Sequence, residues 1–176
     1  KLVQDTLKEK LTVLVPDSVF FGEENNESVS DISTLENVFI VDPIDGTTNF
    51  SRGFKTSLIS VALVKNSQPI IGVCYNPYTN DMYSAIKGDG AYLNCKKIHV
   101  STRNLKNGIL LSGCSPYYDD LRKKSLEIHS RFSLVASDVR RFGSAVLEIC
   151  SIASGRAEVY FELKLMPWDY AAASLI

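Results

Sequence analysis

The sequence contains few of the residues that transition-metal sites and disulfide frameworks require. It has only two histidines, His99 and His129, which are far apart and near no other ligand type. This spacing argues against a zinc site. The four cysteines are widely spaced and form no C-x-x-C pair, which is typical of reduced, mostly buried thiols in a cytosolic protein. We therefore expect neither a zinc centre nor a disulfide scaffold.

Charge and hydropathy exclude further classes of protein. The formal net charge is −1, so no global basic field attracts nucleic acid or an anionic membrane. No apolar run approaches the 18 or so residues of a transmembrane helix. The charged, amphipathic residues 1–11 are unlike a secretory signal. With 45% hydrophobic and 22% charged residues, the composition is that of an ordered globular protein, which we expect in the cytoplasm.

Several common catalytic motifs are also missing. The sequence has no G-x-x-x-x-G-K-[ST] loop, which argues against nucleotide hydrolysis by a P-loop. It has no G-x-S-x-G elbow and no evident Ser-His-Asp or Cys-His arrangement, so protein-only nucleophilic catalysis is not indicated. An EF-hand is excluded because residues 42–48 lack acids at alternate positions and a terminal glutamate.

Hydrophobic periodicity and turn residues predict a mixed α/β chain. Leu7, Leu11 and Leu14 lie at helical spacing, and residues 142–157 form an amphipathic helical pattern. The continuous apolar run 38–42 is typical of a strand buried on both faces. The predicted helices span residues 1–14, 119–132, 142–157 and 167–176. The predicted strands span 18–25, 38–42, 109–115 and 157–163, with an antiparallel meander over 57–66, 69–77 and 81–88 and a hairpin over 89–100. Residues 25–37 are predicted to form a loop or flap.

The domain organisation follows from the absence of repeats and low-complexity linkers. We expect residues 1–176 to form a single domain, because no domain boundary is evident. The chain has no initiator methionine, and residues 170–176 resemble an unfinished apolar helix without a capping glycine. We therefore expect a fragment of a longer domain.

Acidic residues stand at several junctions between elements. They occur in the segments 22-GEE-24, 42-DPID-45 and 168-WD-169 and at Glu162. In α/β proteins, ligands gather where strands end and helices begin. Two carboxylates about 5 Å apart repel by about 3 kcal/mol at an effective dielectric constant of 20. If these acids converge, cations must neutralise them or their pKa values must rise. Oxygen ligands alone favour Mg²⁺, Mn²⁺ or Ca²⁺.

The segment 42-DPIDGTT-48 is the most informative of these junctions. Pro43 fixes the backbone after Asp42, and Gly46 permits a tight bend. Asp42, Asp45 and the Ile44 carbonyl can then face one point. An alternative remains open, in which the acids form an Asx-type turn and cap a following short helix. That alternative does not explain why the segments 22–24 and 168–169 also end in acid.

Four segments resemble the signatures of the inositol monophosphatase family, a group of metal-dependent, lithium-sensitive phosphatases. They are 20-FFGEE-24, 40-IVDPIDGTTNF-50, 141-RFGSAVLEIC-150 and 167-PWDYAAASLI-176, and their order matches the family over nearly the whole chain. The resemblance implies an α/β (α+β) protein with the layered α/β/α/β/α sandwich of the inositol monophosphatase and fructose-1,6-bisphosphatase type. It also implies a homodimer, and the absence here of the family's first long helix and hairpin and of its C-terminal α/β portion.

The resemblance implies a metal site with two or three Mg²⁺ ions, for which Mn²⁺ is an alternative. By position, Glu23, Asp42 and the Ile44 carbonyl resemble the ligands of one ion. Asp42, Asp45 and Asp169 resemble those of a second. Glu23 and Thr47 resemble the pair that orients and deprotonates the attacking water, and are the implied catalytic residues.

The same resemblance implies a substrate site. Gly46 and Thr47 resemble residues that hold the phosphate, close to Asp45 and Asp169. The implied contacts to the polyol come from one segment and one carboxylate: Gly143, Ser144, Ala145 and Glu162.

The sequence departs from many relatives in 49-NFSRGFK-55, where they have a histidine and a proline. Arg52 could bind an extra substrate phosphate, but an exposed, solvated arginine is the favoured interpretation. Thr48 follows Thr47, so the Gly-Thr-Lys signature of phosphoadenosine phosphatase relatives is absent. This favours an inositol phosphate or sugar phosphate as substrate.

Three hypotheses follow. The leading one is a Mg²⁺-dependent phosphomonoesterase acting on inositol monophosphate or a similar small polyol phosphate. A related enzyme would act on fructose 1,6-bisphosphate or on a nucleotide phosphate. A different class of function is an accessory protein that uses this fold to bind a partner, although the absence of a basic or aromatic stripe argues against nucleic acid.

Overall fold

Of the two β-sheets that the described residues form, the larger has seven strands that follow one another in chain order. The structure is a computed structural model that describes residues 1–24 and 35–176. The strands β1 and β2 pair in parallel, and every later pair in this sheet is antiparallel. The strands are β1 Val19–Gly22, β2 Asn37–Asp45, β3 Leu58–Lys65, β4 Gln68–Asn76, β5 Asp81–Ile86, β6 Gly90–Leu93 and β7 Lys96–Lys97.

The smaller sheet is entirely parallel, with the strand order β10-β8-β9. Its strands are β8 Ile109–Ser112, β9 Asp138–Arg140 and β10 Val159–Phe161. The described helices are α1 Leu2–Leu14, α2 Thr47–Ser51, α3 Asp119–Ser133, α4 Ala145–Ala153 and α5 Pro167–Tyr170, with a short 3-10 helix at Leu105–Asn107.

One face of the large sheet is covered by α1. Phe39 and Val41 of β2, with Leu63 of β3, pack against Leu7 and Leu11 of that helix. Successive residues of a strand point to opposite faces of its sheet, so Phe39 and Val41 share this face. Strand β2 is therefore buried on both sides, as its continuous apolar run predicts.

The opposite face of the large sheet packs against α4 and α5. Val38 and Ile40 of β2 share a cluster with Val146 of α4 and Trp168 of α5. Helix α4 also contacts β10 of the small sheet, and α3 contacts β8. Phe132 of α3 stacks against Phe161 of β10 with ring centroids 5.8 Å apart. The layers therefore run helix, sheet, helix, sheet, helix, which confirms the expected α/β/α/β/α arrangement.

The predicted meander and hairpin are confirmed. Strands β3, β4 and β5 are antiparallel neighbours, with Ala62 opposite Gly72 and Gly72 opposite Ala85. The hairpin of β6 and β7 turns at Asn94 and Cys95, both in the left-handed region at φ 49° and 63°. All four cysteines are free thiols, and two of them are buried.

Some boundaries differ from the prediction. The helix predicted over 167–176 ends at Tyr170, and the following residues form turns. The carbonyl oxygen of Ala172 lies 2.6 Å from where a Cβ of Gly72 would be, so close contact with the sheet sets the backbone there. Leu14 is 74% exposed; Val15 packs into the core in its place. Strand β9 was not predicted, because three residues carry too little pattern.

Two further predictions concern the loop over 25–37 and the absence of a transmembrane helix. The loop or flap predicted over 25–37 falls largely on residues 25–34, which lie outside the described residues. No helix in the described part of the chain is long and apolar enough to cross a membrane.

Candidate active site

The C-terminal end of β2 carries two buried carboxyl groups. Asp42 pairs with Ser60 of β3, and Asp45 pairs with Leu58, so three steps along β2 match two steps along β3. This extra residue is a β-bulge, which turns a side chain that regular alternation would send to the opposite face. Asp42 and Asp45 are 2% and 6% exposed, and both line one cavity.

Asp169 joins these two acids from helix α5. One carboxylate oxygen each from Asp42, Asp45 and Asp169 lies within 4.8 Å of the others. Asp169 Oδ2 accepts the Met166 N–H at 2.7 Å and so caps the start of α5. The Trp168 carbonyl accepts from the Ser60 hydroxyl at 3.3 Å, which fixes α5 against β3. Asp169 follows Asp45 by 124 residues in the sequence, and the layered fold brings it next to Asp42 and Asp45.

Glu23 reaches the same cavity from the end of β1. Its N–H donates to the Val41 carbonyl at 3.2 Å, which continues the parallel pairing of β1 with β2. Glu23 lines the cavity with Asp42 and Asp45. The four acids that the family resemblance implies as metal ligands therefore line one cavity.

Burial and mutual repulsion raise the pKa of these carboxyl groups. Burial, then the charges of Asp45 and Glu23, raise the pKa of Asp42 to about 9. Burial raises the pKa of Asp45 to about 7, although hydrogen bonding from Ser144 opposes the rise. Burial raises the pKa of Asp169 to about 6, and it raises the pKa of Glu23 as well. Divalent cations would relieve this repulsion, since they favour the charged carboxylates.

The N-terminus of α4 holds Asp45 in position. Asp45 Oδ2 accepts from the Ser144 hydroxyl and from the Val146 N–H, the latter at 3.1 Å. The Ser144 oxygen in turn caps the helix by accepting the Leu147 N–H at 3.1 Å. A helix N-terminus stabilises negative charge through its free N–H groups and its dipole. The segment expected to contact the polyol, Gly143–Ala145, therefore also orients a predicted metal ligand.

Two residues that sequence reasoning missed fix the loop before α4. Glu148 is 2% exposed, and its Oε1 accepts the Phe142 and Gly143 N–H groups at 2.6 and 3.2 Å. Asn49 Nδ2 donates to the Phe142 carbonyl at 2.7 Å and ties α2 to this loop. An acid within the first turn of an otherwise apolar helix was the available signal for Glu148.

Two glycines allow α2 and the α4 loop to approach each other. Gly46 and Gly143 have φ of +83° and +73°, and a Cβ on Gly46 would lie 3.2 Å from the Gly143 carbonyl oxygen. A side chain at either position would be strained by the backbone and crowded by the other segment. Thr47, directly after Gly46, is exposed at the start of α2 and lines the cavity.

Glu162 lines the same cavity and follows β10 of the small sheet. Its Oε1 accepts the Ser115 N–H at 2.9 Å, and its Oε2 accepts the Tyr160 hydroxyl at 2.9 Å. Gly113 leaves the space for this carboxylate, because a Cβ there would lie 1.9 Å from Glu162 Oε2. Ser115 was also missed: its hydroxyl is buried and has no hydrogen-bond partner in the described residues.

The cavity that these residues enclose has a volume of about 620 Å³, within the usual range of roughly 300–1,000 Å³ for small-molecule sites. Its lining includes every predicted site residue except Ile44. Ile44 lies beside it, and its N–H donates to Asp42 Oδ1 at 2.8 Å. Arg52 is exposed and does not line this cavity, in agreement with its interpretation as a solvated side chain.

The layered fold and this site define a class of protein. The donor set is made of carboxylate oxygens, which suit a hard divalent cation such as Mg²⁺. The N-terminus of α2, which follows Asp45 and Gly46, suits an anion such as phosphate. The arrangement can hold a cation and a phosphate ester next to each other.

Comparison with known sequences identifies the family. The sequence model of the Inositol monophosphatase family matches residues 1–176, and the chain belongs to that family. It is 34% identical to the Nus factor SuhB of Xylella fastidiosa over 177 residues, which cover 100% of this chain and 63% of that protein. It is 36% identical to inositol monophosphatase 2 of Saccharomyces cerevisiae over 184 residues, which cover 98% of this chain and 62% of that protein.

A solved structure has the same fold. The extragenic suppressor protein suhB from Bartonella henselae superimposes with a TM-score of 0.89 at 31% sequence identity. The match covers 98% of this chain and 66% of that one. The chain therefore spans less than two thirds of the length of these relatives.

Proposed function

We propose that the protein is a Mg²⁺-dependent phosphomonoesterase that hydrolyses inositol monophosphate or a similar polyol or sugar phosphate by attack of an activated water. The observation that carries the proposal is the cluster of Asp42, Asp45 and Asp169, whose carboxylate oxygens lie within 4.8 Å of one another. Membership of the Inositol monophosphatase family supports the same activity.

The proposed metal ligands are the four acids and one carbonyl. Asp42, Asp45 and Asp169 would hold one Mg²⁺ ion, and Glu23 and the Ile44 carbonyl would complete a second site that shares Asp42. Two or three ions are expected, with Mn²⁺ as an alternative. When bound, such cations supply positive charge that polarises phosphoryl oxygens and lowers the pKa of water.

Glu23 and Thr47 are the proposed catalytic residues. Both line the cavity, Glu23 at the end of β1 and Thr47 at the first position of α2. The Thr47 hydroxyl would orient the attacking water, and Glu23 would accept its proton. Burial raises the pKa of Glu23, and this brings the carboxylate closer to the basicity that suits a general base near neutral pH.

The remaining lining residues would position the substrate. Gly46 and Thr47 would hold the phosphate near the N-terminus of α2, together with Asp45 and Asp169. Glu162 would accept a hydrogen bond from a polyol hydroxyl. Each of its oxygens accepts one hydrogen bond from the protein, and a carboxylate oxygen has a second lone pair for a substrate donor. Ser144 and its neighbours Gly143 and Ala145 would line the polyol on the other side.

Phosphate release by the whole protein with Mg²⁺ tests this proposal. We expect turnover of inositol 1-phosphate that lithium inhibits, and slower turnover of fructose 1,6-bisphosphate and 2′-AMP at matched concentrations. Turnover of a nucleotide in preference to the polyol phosphates would contradict the proposed substrate class. Absence of turnover with every ester would contradict the activity itself.

An accessory role is a second candidate, because one relative carries the name Nus factor SuhB. The two candidates differ in their need for the carboxylates. If the cellular role is catalytic, Asp45→Asn abolishes it. If the role is to bind a partner protein, Asp45→Asn preserves it, while substitutions on the partner-binding surface abolish it.

We further propose that the protein is a homodimer, as the family resemblance implies, and that it acts in the cytoplasm, where free cysteines such as its four stay reduced. Light scattering coupled to size-exclusion chromatography measures the mass of the whole protein. A mass of one subunit at micromolar concentration would contradict the dimer.

A further inference from the structure

The acidic cavity also contains two cationic side chains, Arg141 and Lys164. Arg141 follows β9 and interacts with the buried Glu148, whose raised pKa it partly offsets. Its charge is therefore partly committed to the protein. Lys164 follows β10, two residues after Glu162, and both of these side chains line the cavity.

The charge of Lys164 contacts an aromatic ring rather than a carboxylate in the described residues. Within residues 1–24 and 35–176 it forms no ion pair, although several carboxylates line the same cavity. Its ammonium nitrogen lies 3.9 Å from the centroid of the Tyr118 ring instead. A cation–π contact at an exposed site is weaker than a charge-assisted hydrogen bond. An anion that enters the cavity can therefore replace the Tyr118 ring as the partner of the Lys164 ammonium group.

The turn that carries Tyr118 also places an unpaired hydroxyl in this part of the cavity. The Tyr118 N–H donates to the Ser115 carbonyl at 3.1 Å. The Ser115 side chain is 2% exposed, and its oxygen has no hydrogen-bond partner in the described residues. Ser115 lines the cavity beside Tyr118 and adds a polar residue to this part of its wall.

We infer that Lys164 and Tyr118 form a subsite for a second phosphoryl group, carried by the end of the substrate that does not react. The inference rests on the proposed function, in which the reacting phosphate lies at the Asp42–Asp169 cluster. The cavity of about 620 Å³ is large enough for a ligand with two phosphoryl groups. Glu162 would accept a ring hydroxyl, and Lys164 would contact the second phosphoryl group two residues further along the wall. Among inositol phosphates, the preferred substrate is then one that carries a second phosphoryl group.

Binding of non-hydrolysable analogues tests the subsite separately from the reaction. Calorimetry on the Mg²⁺-loaded whole protein compares inositol 1-phosphonate with a series of bisphosphonates that carry the second group at each other ring position. We expect one bisphosphonate to bind about tenfold more tightly than the monophosphonate, the gain of one charge-assisted contact. Lys164→Gln should remove this advantage, and Lys164→Arg should retain most of it.

Lys106→Gln is the matched control, because Lys106 is exposed on the 3-10 helix outside the cavity; it should keep the wild-type ratio of the two dissociation constants. Equal affinity for all the phosphonates, or an advantage that survives in Lys164→Gln, would overturn the subsite. A protein that selects a bisphosphonate through Lys164 yet releases no phosphate from any ester would contradict the proposed function and leave the subsite standing.

Discussion

Gly113 determines where the Glu162 carboxylate lies. A methyl group at Gly113 would stand 1.9 Å from Glu162 Oε2. The φ of Gly113 is not positive, so its backbone conformation is open to alanine. Alanine there would therefore meet a steric conflict rather than an unfavourable backbone. Gly113→Ala should displace Glu162 from its contacts with Ser115 and Tyr160. We expect a loss of about 1–3 kcal/mol in the free energy of unfolding, as for overpacking of a core, and a KM for inositol 1-phosphate that rises about tenfold.

Gly88→Ala is the control for this substitution. Gly88 has a φ of +88° with nothing near its Cβ position, so alanine there costs only the left-handed backbone, roughly 1–2 kcal/mol. KM should remain at the wild-type value. Equal effects of both substitutions on KM would show that Gly113 acts through general stability alone.

The raised carboxyl pKa values predict how the metal-free protein responds to pH. The folded-state pKa is about 9 for Asp42 and about 7 for Asp45, above the ordinary value of 3.8 in both cases. The folded protein therefore binds more protons than the unfolded chain between pH 4 and 9. Stability from these groups is fully present below the unfolded pKa and is lost as pH rises through the folded pKa.

We expect the urea midpoint of the metal-free protein to fall between pH 6 and 9. Asp42→Asn should flatten this dependence because its side chain does not titrate. Saturating Mg²⁺ should also flatten it, since the cation stabilises the charged carboxylates. A midpoint that is constant or rises with pH in the presence of EDTA would contradict the proximity of these acids.

At the scale of elements, Ser144 connects helix α4 to the end of β2. Its oxygen accepts the Leu147 N–H, and its hydroxyl donates to Asp45. Ser144→Ala removes both bonds, and loss of an N-cap costs about 1 kcal/mol, within a range of 0.5–2 kcal/mol. We expect that loss in the free energy of unfolding, measured with urea, and weaker binding of Mg²⁺ because Asp45 loses a partner.

Ser144→Thr tests the assignment to the hydroxyl group. Threonine can cap a helix almost as well as serine, so both stability and Mg²⁺ affinity should return toward wild type. If Ser144→Thr restored stability but not Mg²⁺ affinity, the helix cap would not be what positions Asp45 for the metal.

The elements differed in how far the sequence predicted them. The run 38–42 and the meander carried long, regular patterns, and both are confirmed. The apolar residues after Trp168 have equally strong helical composition, yet α5 ends at Tyr170. The contact between Ala172 and Gly72 decides the backbone there, and such a contact between distant segments leaves no local pattern. The same reason applies to β9, whose three residues pair with β8.

At the scale of the whole molecule, the proposed metal site joins separate layers. Asp42 and Asp45 belong to the large sheet, and Asp169 belongs to the helical layer. Mg²⁺ that binds only the folded state should raise the melting temperature with concentration. At 100 times the dissociation constant the stabilisation is about 2.7 kcal/mol, or about 5–10 °C for a domain of this size.

The control for this prediction is NaCl at equal ionic strength, which should leave the melting temperature nearly unchanged. An equal rise with NaCl would mean that general screening, rather than a specific site, stabilises the protein.

The residues of the site differ in how clearly the sequence marked them. Asp42, Asp45 and Asp169 stood out because each ends a strand or begins a helix with acid. Asn49 gave a weaker signal because its backbone partner, Phe142, lies 93 residues away. Glu148 was marked only by its position as an acid in an apolar helix, and Ser115 is joined to Glu162 across 47 residues. Lys164 gave no signal, since an isolated lysine is ordinarily a solvated side chain.

The most direct measurement of the central claim is phosphate release from inositol 1-phosphate as a function of Mg²⁺ concentration, for the whole protein and two variants. Asp45→Asn alters a proposed metal ligand, and Asp89→Asn makes the same change on an exposed turn outside the cavity. We predict Mg²⁺-dependent turnover in the wild type and in Asp89→Asn, and a loss of about 100-fold or more in Asp45→Asn, since metal charge contributes several kcal/mol to the transition state. Turnover that persists in Asp45→Asn, or that proceeds at full rate without Mg²⁺, would contradict the account.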